Sequence, residues 1–385
     1  MSDGPVVRPP LYPFSRFVHR EIIVLIVLCV TAAGVFAVTK SAAVAAHARR
    51  VSDAAAWYTR GMQALDEGRM DEAIDALGRA RALDRDRDVH HLSFATALAR
   101  AGQHEASRQV LLALRAARPE QPDVNLGLAE LAAARGDSES AVRHFQRALY
   151  GEWAPEALDA RERVRVRLIE YQLANGMRDQ AVAQLMLLAA DLPLDATRQI
   201  EAARLFMAAA EPARALDHYT RALQVVPDDA VAIAGAGDAA FELGDFAAAR
   251  GYYARVPTDR EDIAEKRELV RLVLANDPLQ PRLSNAERRR RLAVGRTRAQ
   301  VLIAACRTHL AGTNAQEEQL EALEREIEAL GAALAAGGTL ESEVIEDGVS
   351  LIAGVVTFAS NGCGPLGADA RAWLIIGRVP RGGRP

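Results

Sequence analysis

The sequence predicts an all-α protein: an N-terminal transmembrane helix, a long solenoid of helical hairpins and a small helical C-terminal module. Three observations carry this prediction. Half of the 385 residues are apolar and only 5% are aromatic, a balance that suits Ala-rich helices in close contact better than sheets, where aromatic and β-branched side chains dominate. Residues 22–39 form an 18-residue run without a charge, between Glu21 and Lys40. Small residues then recur at intervals of 33 to 40 through residues 54–258.

The uncharged run comes first. At about 1.5 Å per residue it is about 27 Å long, enough to cross a hydrocarbon layer of about 30 Å with slight help from its flanks. A signal peptide has a shorter apolar core and ends at a small-x-small site; Val35-Phe36-Ala37 offers one, but the length favours an uncleaved anchor. Arg8, Arg16 and Arg20 precede the run and Lys40, Arg49 and Arg50 follow it, a tie in the positive-inside count. Arg16, His19 and Arg20 stand closer to their end of it. This places residues 1–21 as a cytoplasmic tail, residues 40–53 as a linker and the bulk of the chain outside a bacterial inner membrane, in the periplasm. The same scaffold facing the cytoplasm is the alternative topology.

Charge is unevenly spread. The formal −4 divides into +4 over residues 1–50, −7 over 51–258 and −1 over 259–385. An acidic central array excludes a uniformly basic nucleic-acid binder.

In the repeats, a small Ala recurs at Ala73, Ala106, Ala141, Ala181, Ala215 and Ala249. A turn Gly precedes it by five residues at Gly68, Gly136, Gly176 and Gly244; Gly102 falls one residue late, and Ala210 stands in its place in the fifth unit. A large apolar residue follows by four: Leu77, Val110, Phe145, Leu185, Tyr219 and Tyr253. The first unit reads Trp57, Gly61, Gly68, Ala73, Leu77, Ala80, and the last Gly237, Gly244, Ala249, Tyr253. An insertion near residues 150–161, with Trp153 and Pro155, explains the interval of 40.

This pattern resembles the tetratricopeptide repeat family, and in particular a bacterial membrane-anchored member of it. The resemblance implies six hairpins over residues 54–258 in a right-handed superhelical solenoid. Each hairpin buries its apolar face only against its neighbours. The resemblance further implies a concave face, lined by the first helix of each hairpin, that binds a protein or peptide segment. Its inward positions map onto Tyr58, Met62, Thr96, Arg100, Leu126, Glu130, Glu170, Arg204, Met207 and Asp238. Members that bind chaperone tails carry Lys and Asn at the first inward positions; Tyr58 and Met62 stand at two of them, so that specificity is not implied. The mixed, net acidic array suits a segment with apolar and some basic character.

Beyond the repeats, residues 259–277 read as a helix that caps the solenoid, and 278–385 as a helical module entered through an extended Pro-containing linker. Ser284-Asn-Ala-Glu287 is a capping box. It opens a helix reaching about Leu310. Further helices are expected over 316–336, over 341–359 and through Trp373 and Ile376. Cys306 falls on a helix and Cys363 in a Gly-rich loop, so the two can form a disulfide, closing a long loop and stabilising it by roughly 2–4 kcal/mol. Arg288, Arg289, Arg290 and Arg291 form a basic patch, expected to be a solvated face or to meet acidic repeats or anionic head groups.

No catalytic or metal-binding signature occurs. HExxH, CxxC and phosphate-loop motifs are missing from the sequence, His90 and His91 diverge by about 100° on a helix, and Gly235-Ala-Gly237 is better explained by packing than by a dinucleotide fingerprint. The expected function is a membrane-anchored scaffold or adaptor for a protein or peptide partner that supports complex assembly. It is expected to be no enzyme and to need no cofactor, metal, nucleic acid or small-molecule ligand. An active site hidden in residues 278–385 is the alternative.

Overall fold

The computed structural model describes residues 14–257, 260–309 and 314–378, and these form seventeen helices joined by turns, with no strand among the described residues. The chain divides into two compact units, the first ending at Leu168 and the second beginning at Ile169.

The first unit opens with α1 (Phe14–Asp66), a single helix of 53 residues and about 80 Å. Of the expected tail, residues 1–13 lie outside the described residues and the rest is already helical. The linker expected over 40–53 is helix throughout. The reason is local: this stretch has Ala at 42, 43, 45, 46 and 48 and neither Gly nor Pro, so the strongest helix former carries the helix on without interruption. The end of α1 pairs with α2 (Met70–Leu83). Next come α3 (Asp88–Arg100) with α4 (His104–Ala117), α5 (Pro122–Ala134) with α6 (Ser138–Leu149), and then α7 (Leu158–Ala174), within which the two units meet. The insertion is the loop 150–157 together with the added first turn of α7. It is pinned: Trp153 Nε1 donates to Ala148 O at 2.9 Å and Arg161 Nε to Leu149 O at 3.0 Å.

The second unit holds α8 (Arg178–Ala190), α9 (Ala196–Ala208) with α10 (Pro212–Val225), and α11 (Ala230–Glu242) with α12 (Phe246–Arg255). After these come α13 (Glu261–Asn276), α14 (Asn285–His309), α15 (Asn314–Ala335), α16 (Ser342–Ser360) and α17 (Ala368–Arg378). The module expected from residue 278 is not separate from the capping helix and the last hairpin. One apolar cluster runs from Ile233 and Tyr253 through Ile263 and Val270 to Leu292, Ile352 and Trp373. The open end of a hairpin stack is apolar, and α13 buries it while itself needing cover from α17 and α14.

Every hairpin turn is built alike. The amide of the residue just beyond the turn position donates to the carbonyl five residues earlier: Arg69 to Ala64, Gln103 to Leu98, Asp137 to Ala132, Met177 to Gln172, Glu211 to Phe206 and Asp245 to Ala240, all at 2.8–3.0 Å. This closure needs a left-handed residue at the turn. Gly68, Gly102, Gly136, Gly176 and Gly244 supply it with φ of 72–76°, and Ala210 adopts φ 54° in the fifth hairpin.

Counted from these turns, the second repeat is in strict register. The small residue five beyond Gly102 is Ser107, buried to 1% exposure, whereas Ala106 is exposed. Leu111 and Leu114 are the buried residues that follow, and Leu111 takes the place expected of Val110. Ser fits an Ala-sized position because its hydroxyl donates to Ala95 O at 2.7 Å. In the sixth repeat Val256 is buried seven residues beyond Ala249, as Ala80 is seven beyond Ala73 in the first. The interval is therefore 34 throughout, except for the 40 that holds the insertion.

Gly235 and Gly237 are packing positions. A Cβ on Gly235 would stand 2.2 Å from the Tyr219 ring, and one on Gly237 would stand 2.5 Å from the Tyr253 ring. Two opposite effects follow. Ala210→Gly removes left-handed strain and raises the stability of the full chain by about 1 kcal/mol; Gly235→Ala forces Tyr219 aside and lowers it by about 1–3 kcal/mol. Urea unfolding followed by circular dichroism checks both signs.

Candidate functional site

In the first unit, α3, α5 and α7 enclose a groove of about 570 Å³. It exists because the facing residues are small: Ala95 and Ala99 on α3, Gly127 and Ala134 on α5. Leu92, Leu111, Leu126 and Leu131 give it an apolar floor. There is no spare room beneath Gly127, since a Cβ there would stand 3.0 Å from Leu111 Cδ1. Thr96, Arg100, His104, Asp123, Glu130 and Arg167 form its polar margin. Glu130 is ion-paired with Arg167 across α5 and α7. Asp123 at the start of α5 and Arg100 at the end of α3 place opposite charges at opposite ends of parallel helices.

Four of the inward residues expected from the sequence meet here: Thr96, Arg100, Leu126 and Glu130. Tyr58 and Met62 do not line this groove. They pack in the first hairpin's own apolar cluster, with the Tyr58 ring 5.2 Å from that of His90 and its hydroxyl accepting from Ser93 Oγ at 3.4 Å. In the second unit Glu170 and Arg204 are exposed and Met207 is half-buried. Asp238 is occupied from within: Tyr253 Oη donates to it at 2.7 Å and Lys266 Nζ at 2.6 Å. Burial and this carboxylate push the Tyr253 hydroxyl well above the usual phenol range. The lining residues that sequence reasoning missed include Leu92 and Arg167. Leu92 had a signal, standing 34 residues from both Tyr58 and Leu126. Arg167 had none, because its reach to Glu130 depends on the insertion that sets where α7 starts.

The basic patch is largely consumed inside the fold. Arg291 Nη1 donates to Leu274 O at 3.0 Å and Asp277 O at 2.8 Å; Arg288 donates to Leu283 O, Pro278 O and Gln280 O at 3.1–3.3 Å. Arg289 reaches Gly338 O at 2.8 Å, and Arg290 pairs with Glu287 at 2.7 Å. Four successive helix residues point in four directions, and here three of them find carbonyls left open by turns. The expected linker is in consequence a fixed turn with Asp277 and Pro278 buried. Hydrogen bonds from Arg290 and then Arg291 hold the Glu287 carboxyl down at about 2. The capping box forms in part, Glu287 N donating to Ser284 Oγ at 3.2 Å. Cys306 on α14 and Cys363 after α16 are joined as a disulfide, with Cα atoms 4.8 Å apart. Among the described residues no group of three or more His, Cys, Asp or Glu side chains could hold a metal ion.

A stack of antiparallel hairpins at a fixed interval, with an open groove on the face of its first helices, defines a helical-repeat binding protein. Tetratricopeptide repeat family models match residues 64–131 and 200–263. Both stretches are tetratricopeptide repeats. No curated protein sequence matches it. Among solved structures it is similar to PilW, described as a widely conserved type IV pilus biogenesis factor, at 16% identity over 55% of this chain and 96% of that one, with a TM-score of 0.41. It is also similar to the C-terminal part of a TPR repeat-containing protein from Cytophaga hutchinsonii, at 10% identity over 61% and 93%, TM-score 0.44. A third is YrrB, a TPR protein with an unusual peptide-binding site, at 16% identity over 46% and 88%, TM-score 0.32.

One partly buried histidine in the first unit departs strongly from its ordinary range. Burial first, then the nearby Arg115, Arg147 and Arg143, push His144 on α6 down to about 4. The folded chain thus keeps this imidazole neutral while the unfolded chain protonates it near pH 6.5. Its contribution to stability is full above pH 6.5 and is lost as pH falls from there towards 4. The His144 ring proton resonance should titrate near pH 4, and His144→Gln should flatten the decline of stability across that window.

Proposed function

We propose that the protein is a membrane-anchored scaffold that binds a protein or peptide segment in the groove of α3, α5 and α7 and supports complex assembly at the cell envelope. The observation that carries this reading is the groove itself. It combines an apolar floor with charged ends of opposite sign, which suits an extended segment with an apolar side chain between a basic and an acidic residue. The mixed wall supplies orientation through charge and affinity through burial.

Anchoring rests on residues 22–38 of α1. Ile22, Leu25, Leu28, Val35, Phe36 and Val38 are each 50–68% exposed, with nothing in the fold covering them. Burying each large apolar side chain is worth about 1.5–3 kcal/mol, and a hydrocarbon layer provides that for the whole run. The disulfide supports placing α14–α16 in an oxidising compartment, which on this topology is the periplasm.

A photo-crosslinking residue in place of Leu126 should capture a discrete partner in cells, and one in place of Arg143 on α6 should not. Ala99→Trp, which fills the groove, should abolish capture. Equal capture from both positions would sink the assignment of the groove. A reporter fused after Pro385 that is active only in the periplasm is the expected result for orientation; activity in the cytoplasm would reverse it.

A further inference from the structure

Helix α14 leaves one long face uncovered. Leu292, Gly295, Ala299, Ile303 and Cys306 are its buried residues. On the opposite side Ala293, Val294, Thr297, Val301 and Ala304 are all exposed. Their spacings of three and four put them on one stripe, about 17 Å long. Val294 is 42% exposed and Val301 53%. The outer face of a surface helix ordinarily carries charged and polar side chains; this one carries two β-branched apolar side chains set among small residues.

The two ends of the stripe are charged with opposite sign. Arg290 stands one turn before Val294, with its side chain 63% exposed. Its partner Glu287 also accepts from Arg291 Nε at 2.8 Å, so Arg290 can turn away and leave that carboxylate paired. Helix α15 returns antiparallel along α14: Arg307 pairs with Glu324, Arg296 lies against Gly331, and Asn285 bonds to Gly338 O. The acidic opening of α15, with six Glu between residues 317 and 328, is therefore set beside the last turns of α14. There Ala304, Arg307, Glu324 and Glu328 border a recess of about 230 Å³, next to Val301 at the edge of the stripe.

We propose that this face binds the same face of a second copy of the chain, as an antiparallel pair of α14 helices about a two-fold axis at Thr297. In a two-fold contact each pairing occurs twice. With the axis at Thr297, Val294 packs on the other copy's Val301, and Arg290 falls opposite the other copy's Ala304, at the recess beside Glu328. Ala293, Thr297 and Ala304 are small enough to let the two helices approach. Charge fixes the direction. A parallel pair would set Arg290 on Arg290 and the glutamates of α15 on each other, and like charges face to face are costly; the antiparallel pair sets the basic start of one α14 against the acidic flank of the other. One helix face falls short of the roughly 800 Å² per partner of a standard interface, so the pair forms reversibly. The sequence hid this face because Val294 and Val301 stand amid the Arg residues of α14, and only the structure shows which side of the helix each occupies.

The test is crosslinking of the full chain in intact cells with a short bis-maleimide, which the bonded Cys306 and Cys363 do not react with. Cys29→Ser removes the free thiol and is the background for every variant. Thr297→Cys should yield a species of twice the chain's mass. Val294→Cys and Val301→Cys should crosslink weakly alone and strongly when the two variants are co-expressed. Glu328→Arg, added to Thr297→Cys, should lower the crosslinked fraction roughly tenfold by setting like charges together, and Arg290→Glu added to that should restore it. The exposed Ala254 on α12 supplies the control as Ala254→Cys. Thr297→Cys crosslinking no more than this control, Val294→Cys and Val301→Cys each crosslinking to itself as well as Thr297→Cys does, no recovery in the charge-swapped variant, or capture of a different protein in place of a second copy would each overturn the proposal.

Discussion

Each hairpin depends on one close crossing. The residue five beyond each turn is almost free of solvent: Ala73, Ala141, Ala181, Ala215 and Ala249 are 0% exposed and Ser107 is 1%. At these points two helix backbones approach more nearly than any larger side chain would permit, and the large residue four positions on then reaches the next hairpin. The first helix of that hairpin must yield in turn. It does so with Gly127 beneath Leu111 and Gly235 beneath Tyr219, while within a hairpin Gly61 makes room for Leu77 and Gly237 for Tyr253. Small residues at one position and large ones at another are two halves of a single packing rule, and the interval of 34 keeps them in phase.

The same rule explains where the repeats stop. Helix α13 begins as another first helix would, with Ile263 and Val270 buried as Ile233 and Ala240 are in α11. Where α11 has Gly237, α13 has Arg267. No hairpin can close over an Arg at that position. Its guanidinium turns back to Tyr253 O at 2.7–2.9 Å and to Val256 O, tying off the last turn of α12. The apolar surface left over is covered by longer helices of different geometry, which have their own ties in Arg288, Arg291 and the disulfide. Asn285 adds another, donating to Gly338 O at 2.8 Å and accepting from Leu340 N at 3.0 Å.

What could be read in the sequence follows from this rule. The hairpins, the turns and the identity of the family were legible because packing at the crossing admits few residue types. Ser107 was misread because composition alone treats Ser as polar, while its hydroxyl is satisfied by Ala95 O in the preceding helix. Part of the groove was legible for the same reason: Thr96, Arg100, Leu126 and Glu130 follow from repeat position. That Tyr58 and Asp238 are engaged by Ser93, Tyr253 and Lys266 was not, because these are side-chain partnerships peculiar to single hairpins. The basic patch misled for a general reason. Four adjacent Arg read as a charged surface, whereas turn carbonyls that lack amide partners attract guanidinium groups, and the sequence does not show where those carbonyls fall.

The continuity of α1 bears on how the proposed scaffold would be mounted. A chain anchored through a flexible linker leaves its binding domain free to turn and to vary its distance from the membrane. Residues 40–53 are instead part of the same hydrogen-bonded helix that supplies the first repeat. From Thr39 to Ala54, the first buried residue of that repeat, is fifteen residues and about 22 Å of helix. A hinge would require opening several backbone hydrogen bonds at once, in a stretch without Gly or Pro to ease it. On the proposed topology the first hairpin is therefore held at a set distance from the bilayer. The first hairpin is thereby part of the helix that anchors it, and the ordering cost of placing it is met when α1 folds rather than when a partner binds.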